Sequence, residues 1–216
     1  MCWSATADLA AGAGIAAVGV ACVTRARRVR DLPLAALPLF LGAHQIVESM
    51  VWGSGGGTGP VTVTWAVIAL PLLVVWVPAG VLCAAPGHAR RRLTVPSAIG
   101  VATAVTLAYA LATRPVRAEI RGHTLGYAVH LAHPELLVAG YLLATLGSLL
   151  LSGDRGLVLL GVLMGAGAVI CWALWELKFV STWCAFAAVC SVALFGWVHR
   201  RPEVPAREGD CTPLEG

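Results

Sequence analysis

Seven apolar runs, each near the length of a bilayer crossing, follow one another along a chain of 216 residues: 9–24, 32–52, 61–84, 95–113, 134–151, 157–177 and 179–198. A helix needs about 20 predominantly apolar residues to cross the hydrocarbon. Backbone polar groups find no water there, and a helix satisfies them within one segment. The expected fold is therefore all-α, an integral membrane seven-helix bundle over residues 1–198. The tail from 199 to 216, "HRRPEVPAREGDCTPLEG", is polar and proline-rich, and is expected to be disordered and cytoplasmic.

Composition excludes the ordinary soluble class. Only 12% of residues are charged and 58% are hydrophobic, against about 25% charged in a soluble domain. The net charge of +4 comes from arginines at the ends of apolar runs, so no nucleic-acid partner is needed to explain it. With the N-terminus outside, the cytoplasmic side holds Arg25, Arg27, Arg28, Arg30, Arg90, Arg91, Arg92, Arg155, Arg200, Arg201 and Arg207; the other side holds Arg114, Arg117, Arg121 and Lys178. That asymmetry favours an external N-terminus and a cytoplasmic C-terminus. No basic stretch precedes the first run and no cleavage site follows it, so no removable signal peptide is expected. No internal repeat is apparent, which disfavours an inverted-repeat transporter.

One connection is not membrane-like. In "RPVRAEIRGHTLGYAVHLAH", 114–133, Val116, Ala118 and Ile120 alternate with polar residues ahead of a Gly-His-Thr-Leu-Gly turn. The pattern predicts a short external β-hairpin between spans 4 and 5.

The informative polar groups lie in "LGAHQIVESMVW", 41–52. His44, Glu48 and Trp52 stand at i, i+4 and i+8 and share one helical face, with Gln45 beside them. A charge well inside hydrocarbon costs about 2.5 kcal/mol or more and normally faces a bundle interior. A purely structural hydrogen-bonded pair is one reading. The other is a site, because a carboxyl held away from water favours its proton-bearing form; a neutral His44 would orient it, whereas a protonated His44 would favour the ionised form. A second patch, Trp172, Trp175 and Glu176, falls near the same end of the sixth span, with Trp65 and Trp183 at that level. Against this, an interfacial aromatic belt accounts for Trp3, Trp65 and Trp183, and Glu176 could pair with Lys178. Pro33, Pro38, Pro71 and Pro78 are expected to bend the second and third spans and open a cavity, although proline is also frequent in membrane helices for packing alone.

Other chemistry is weaker. His123, His130 and His133 with Glu119 and Glu135 offer metal-binding atoms, but no His-Glu-x-x-His or Cys-x-x-Cys pattern organises them, so no metal and no cofactor is expected. Seven cysteines lie mostly within spans and read as small hydrophobes; Cys2 and Cys184 could pair. "GSGGGTG", 53–59, reads as an external turn rather than a phosphate cradle.

The segments "MCWSATADLAAGAGIAAVGVA", "LPLAALPLFLGAHQIVESMVW" and "FVSTWCAFAAVCSVALFGW" together resemble a family of small bacterial membrane proteins. That resemblance implies a shared multi-span fold and no assigned activity. In size, span number and intramembrane acids the chain is also loosely similar to membrane-bound terpene cyclases of the drimentine, xiamycin and pyripyropene types. The pyripyropene type uses one acid on an early span and one on a late span. Glu48 matches the first by position, whereas Glu176 departs from the pattern by falling on the sixth span.

The expectation drawn is a metal-independent membrane terpene cyclase acting on a prenylated, isoprenoid-type substrate within the bilayer. Glu48 would donate the initiating proton, His44 and Gln45 would hold it, and Glu176 or His44 would accept the final proton. Trp52, Trp65, Trp172, Trp175 and Trp183 would line the pocket. Two rivals fit the same residues: a proton-coupled small-molecule carrier or ligand-binding protein, and a metal-dependent membrane hydrolase using His44, Glu48 and the external histidines.

Overall fold

A computed structural model of the protein describes residues 4–122, 124–173 and 179–201. Seven helices and one hairpin run in chain order through the described residues. Helix α1, Ala5–Arg25, starts where the Ser4 hydroxyl accepts the Ala7 N–H at 3.2 Å; it carries Asp8 in its first turn and Arg25 in its last. Both charges complement the helix dipole. Helix α2, Val29–Gly53, is built from a 3-10 turn, Val29–Asp31, a short turn, Leu32–Ala35, and a long segment, Leu37–Gly53. Pro33 and Pro38 each sit at the start of a segment, where a missing N–H costs nothing. The bend expected from Pro38 is this join.

Helix α3, Pro60–Ala84, contains a π-helical stretch, Ile68–Leu72, around Pro71. The Leu73 N–H reaches back to Ile68 O, and Ala69 O accepts the hydroxyl of Tyr141 at 2.9 Å. A widened turn of this kind absorbs a proline that would otherwise clash with the preceding turn. Helix α4, Gly87–Thr113, begins well before position 95, where the apolar run starts. Arg90, Arg91 and Arg92 lie in its early turns, because helical hydrogen bonding does not require apolar side chains and arginine stems extend to water.

Strands β1, Val116–Arg121, and β2, Thr124–Val129, pair antiparallel, with Ala118 opposite Tyr127. Helices α5, Pro134–Leu150, α6, Arg155–Ala173, and α7, Phe179–His199, complete the fold. The disorder expected from 199 does not begin there, since His199 ends α7 and Arg201 is held by Asp31 and Asp154. Residues from 202 onward lie outside the described residues, as do Cys2, Trp3, His123, Trp175, Glu176 and Lys178.

Helices α1 to α4 are long and apolar enough to cross a membrane. The later helices are apolar but shorter over their described residues, at Pro134–Leu150, Arg155–Ile170 and Phe186–His199. Large apolar side chains point outward, among them Val105, Tyr109 and Val169, at 65%, 70% and 65% exposure. Soluble monomers rarely expose apolar surface on this scale, and such a surface is what a crossing helix presents to lipid.

The principal core lies toward the end that bears Arg25, Arg90 and Arg201. It joins Cys22, Leu34, Val81, Leu93, Leu157 and Leu194 from six helices. The tightest helix pair is α1 with α2, where a Cβ placed on Gly42 would lie 2.7 Å from Ala16 N and 2.8 Å from Gly12 O. Small residues let the two backbones meet, which is how helices associate where lipid removes the hydrophobic drive. Gly42→Ala is therefore expected to cost about 1–3 kcal/mol through overpacking, read as a lower midpoint in unfolding of the purified protein by circular dichroism.

At the same end Arg201 gathers three elements. Its guanidinium lies 3.6 Å from Asp31 and 3.2 Å from Asp154, donates to Ala84 O at 3.4 Å, and sits 4.3 Å from the Trp197 ring centroid. Asp154 in turn accepts the Trp197 indole N–H at 3.0 Å and the Gly156 N–H at 2.9 Å.

Candidate functional site

The opposite end of the bundle carries the hairpin. Gly57, at φ 92°, turns the α2–α3 loop so that its N–H donates to Ala118 O at 2.8 Å and its carbonyl accepts the Ala118 N–H at 2.9 Å. A side chain at that φ is strained, so glycine suits the junction. Ala118 faces Tyr127 across the strand pair, and directly opposed residues share one face of a sheet. That face turns toward the helices: Ala118 and Leu125 are buried against Val51, with Trp52, Val61, Trp65 and Tyr127 around them.

Beneath this cover lie the α2 residues at helical spacing. His44, Gln45 and Glu48 are 7%, 2% and 5% exposed. The Tyr127 hydroxyl donates to Glu48 Oε1 at 3.4 Å, at the long end of hydrogen-bond range. The Tyr127 ring stacks on Trp65, with centroids 3.4 Å apart and planes inclined by 5°. Trp65 also meets the His44 ring, centroids 5.0 Å apart. The Gln45 amide nitrogen lies 3.4 Å from His44 Nδ1; with Gln45 donating, His44 is neutral and carries its proton on Nε2. Three buried ring nitrogens, His44 Nε2, Trp52 Nε1 and Trp65 Nε1, have no hydrogen-bond partner among the described residues. Unsatisfied buried donors are rare and mark places where a guest offering a hydrogen-bond acceptor gains most.

A second acid lies close to this level. α1 runs antiparallel to α2, Gly12 meeting Gly42 and Gln45, and Gly19 meeting Leu39. Asp8 stands one turn before Gly12 on the same face, at the height of Gln45 to Ser49. It is fully buried, at 0% exposure.

The expected residues thus divide. His44, Gln45, Glu48, Trp52 and Trp65 come together. Trp172 and Trp183 stand on α6 and α7 with their side chains outside the described set, and Trp175 and Glu176 lie outside the described residues altogether. Tyr127 and Asp8 join the site unannounced by the apolar-run reading. His133 and Glu135 form an exposed pair at 3.8 Å, and among the described residues no three His, Cys, Asp or Glu side chains gather as a metal set would. No curated protein and no solved structure matches the chain. Residues 1–209 match the sequence profile of DUF6629, described as a family of unknown function, and the chain belongs to that family.

Proposed function

We propose that this is a multi-pass bacterial membrane protein, N-terminus outside, that cyclises a prenylated hydrophobic substrate such as a farnesylated indole by protonation, without a metal. One observation supports it above the rest. The Glu48 carboxyl is buried beside the stacked Trp65 and Tyr127 rings, so an acid and π-faces stand together in a site closed to water.

In this reading Glu48 gives its proton to a terminal alkene carbon of the substrate. The electron pair of a second double bond closes the new carbon–carbon bond onto the resulting cation. A proton then leaves a carbon next to the final cation for a neighbouring base, Glu176 or His44. The product is an isomer of the substrate, so no oxidant or reductant is needed. The faces of Trp52, Trp65 and Tyr127 stabilise passing cations by about 0.5–2 kcal/mol each; Trp172, Trp175 and Trp183 would complete the wall. Entry lies under the hairpin, whose apolar cluster with the helices, built on Val51, Ala118 and Leu125, is far smaller than that at the packed opposite end. The region with the fewest buried apolar contacts opens at least cost.

The proton-coupled carrier stays in view because two buried polar pairs, Tyr127 with Glu48 and Gln45 with His44, stand one helical turn apart on α2, where a proton relay would use them. Membranes bearing the protein, incubated with farnesylated indole and with simple polyprenols, separate the two. Cyclisation yields a compound of unchanged mass and altered retention by liquid chromatography and mass spectrometry. Uptake of an added compound with no isomer formed from any of them supports the carrier and ends the cyclase reading.

A further inference from the structure

We propose that the cleft between α1 and α7, at the arginine-bearing end, is a binding site for one anionic phospholipid. Two adjoining cavities form it. The first, about 260 Å³, is lined by Ala17, Val18 and Ala21 of α1 and by Val192 and Phe195 of α7. Every lining residue is apolar. The alanines at i and i+4 leave a trough along α1, and Val192 and Phe195 wall it from α7.

The second cavity, about 300 Å³, is lined by Thr24, Arg25, Ala26, Arg27 and His199. Phe195 joins the two, for the Arg25 guanidinium lies 5.1 Å from its ring centroid and the His199 ring stacks on it at 6.3 Å. The Thr24 hydroxyl already donates to Val20 O at 2.9 Å, so recognition of an anion falls first to the Arg25 guanidinium, held beside the trough over Phe195. Among the described residues neither lining includes a carboxylate that would attract the choline of a zwitterionic lipid. An apolar trough ending in an arginine pair is complementary to an acyl chain ending in a phosphate. Basic pockets between membrane helices bind anionic head groups in this manner. A free phosphate would use the second cavity alone and leave the trough unexplained.

The test uses the full chain in bilayer discs containing equal amounts of phosphatidylglycerol and phosphatidylcholine, followed by extraction and native mass spectrometry of retained lipid. Retention is expected to favour phosphatidylglycerol by about five-fold or more, since each surface arginine contributes roughly that factor toward an anionic lipid. Arg25→Gln should lower the preference by about five-fold, and Ala21→Phe, which fills the trough, should remove retained lipid of both kinds. Excess inorganic phosphate should not displace the lipid. Equal retention of the two lipids by the unaltered protein overturns the proposal, and that comparison needs no variant to fold. Displacement by inorganic phosphate, or unchanged retention in both variants, overturns it as well.

Discussion

Glu48→Gln is expected to lower cyclisation by about 10²–10⁴-fold, the usual contribution of a positioned general acid, while the protein remains folded. The amide has the shape of the carboxyl and still offers an oxygen to the Tyr127 hydroxyl, which lies 3.4 Å from Glu48 Oε1. What it lacks is a transferable proton. A role confined to packing would leave turnover nearly unchanged in this variant, so product formation at the unaltered rate sinks the assignment. Tyr127→Phe sharpens the reading. It keeps the ring on Trp65 and removes only the hydroxyl, so its effect should be that of one hydrogen bond, about ten-fold or less. If Tyr127→Phe is as damaging as Glu48→Gln, the hydroxyl itself is the proton donor and the roles are exchanged.

The half of this site that lies on α2 was legible because a period of 3.6 is visible in one short stretch. His44, Glu48 and Trp52 needed only their spacing, and an acid in an apolar run drew attention by its cost. Tyr127 was not legible, since it lies 79 positions from Glu48 and arrives there through two separate pairings. The hairpin itself could be read from the alternation at Val116, Ala118 and Ile120. Its docking depends on Gly57 bonding Ala118 across the molecule, and strand pairing between distant segments leaves no periodic mark. Asp8 was missed for a different reason. At the first turn of α1 an acid looks like a partner for the helix dipole, and the apolar run begins only at position 9. The spacing of Gly12, Ala16 and Gly19 was the available signal: it marks the face that approaches α2, and Asp8 lies on that face one turn earlier.

The two ends of the bundle are packed differently, and the proposed chemistry sits at the more lightly packed one. The arginine end joins residues of seven helices in one large apolar cluster, closed by ion pairs. The hairpin end has a small cluster, buried polar side chains and ring nitrogens without partners. Both ends keep buried polar atoms without a hydrogen bond among the described residues, the Asp31 oxygens and Arg28 Nε at one and the ring nitrogens at the other. What sets the hairpin end apart is its smaller apolar cluster, which opens at lower cost.

The largest loss of stability is expected from Arg201→Ala at the closed end, about 3 kcal/mol or more. Breaking a buried ion pair from one side costs about 3–5 kcal/mol, because the remaining charge stays out of water. The Asp31 side chain is 2% exposed and cannot turn to solvent, whereas Asp154 is 20% exposed. Asp154 also keeps the Gly156 and Leu157 amides as donors at the start of α6, so its loss of Arg201 is the smaller part. Arg28 and Arg30 lie near enough to Asp31 to offset some of the penalty, which places the estimate at the lower bound. Packing is lost too, since the guanidinium covers Trp197 at 4.3 Å. Unfolding of the purified protein in detergent, followed by circular dichroism against added dodecyl sulfate, would register the change. Adding Asp31→Asn to Arg201→Ala removes the stranded charge and should recover part of the loss. A double variant no more stable than Arg201→Ala alone would assign the whole cost to packing on Trp197 and none to the buried carboxylate.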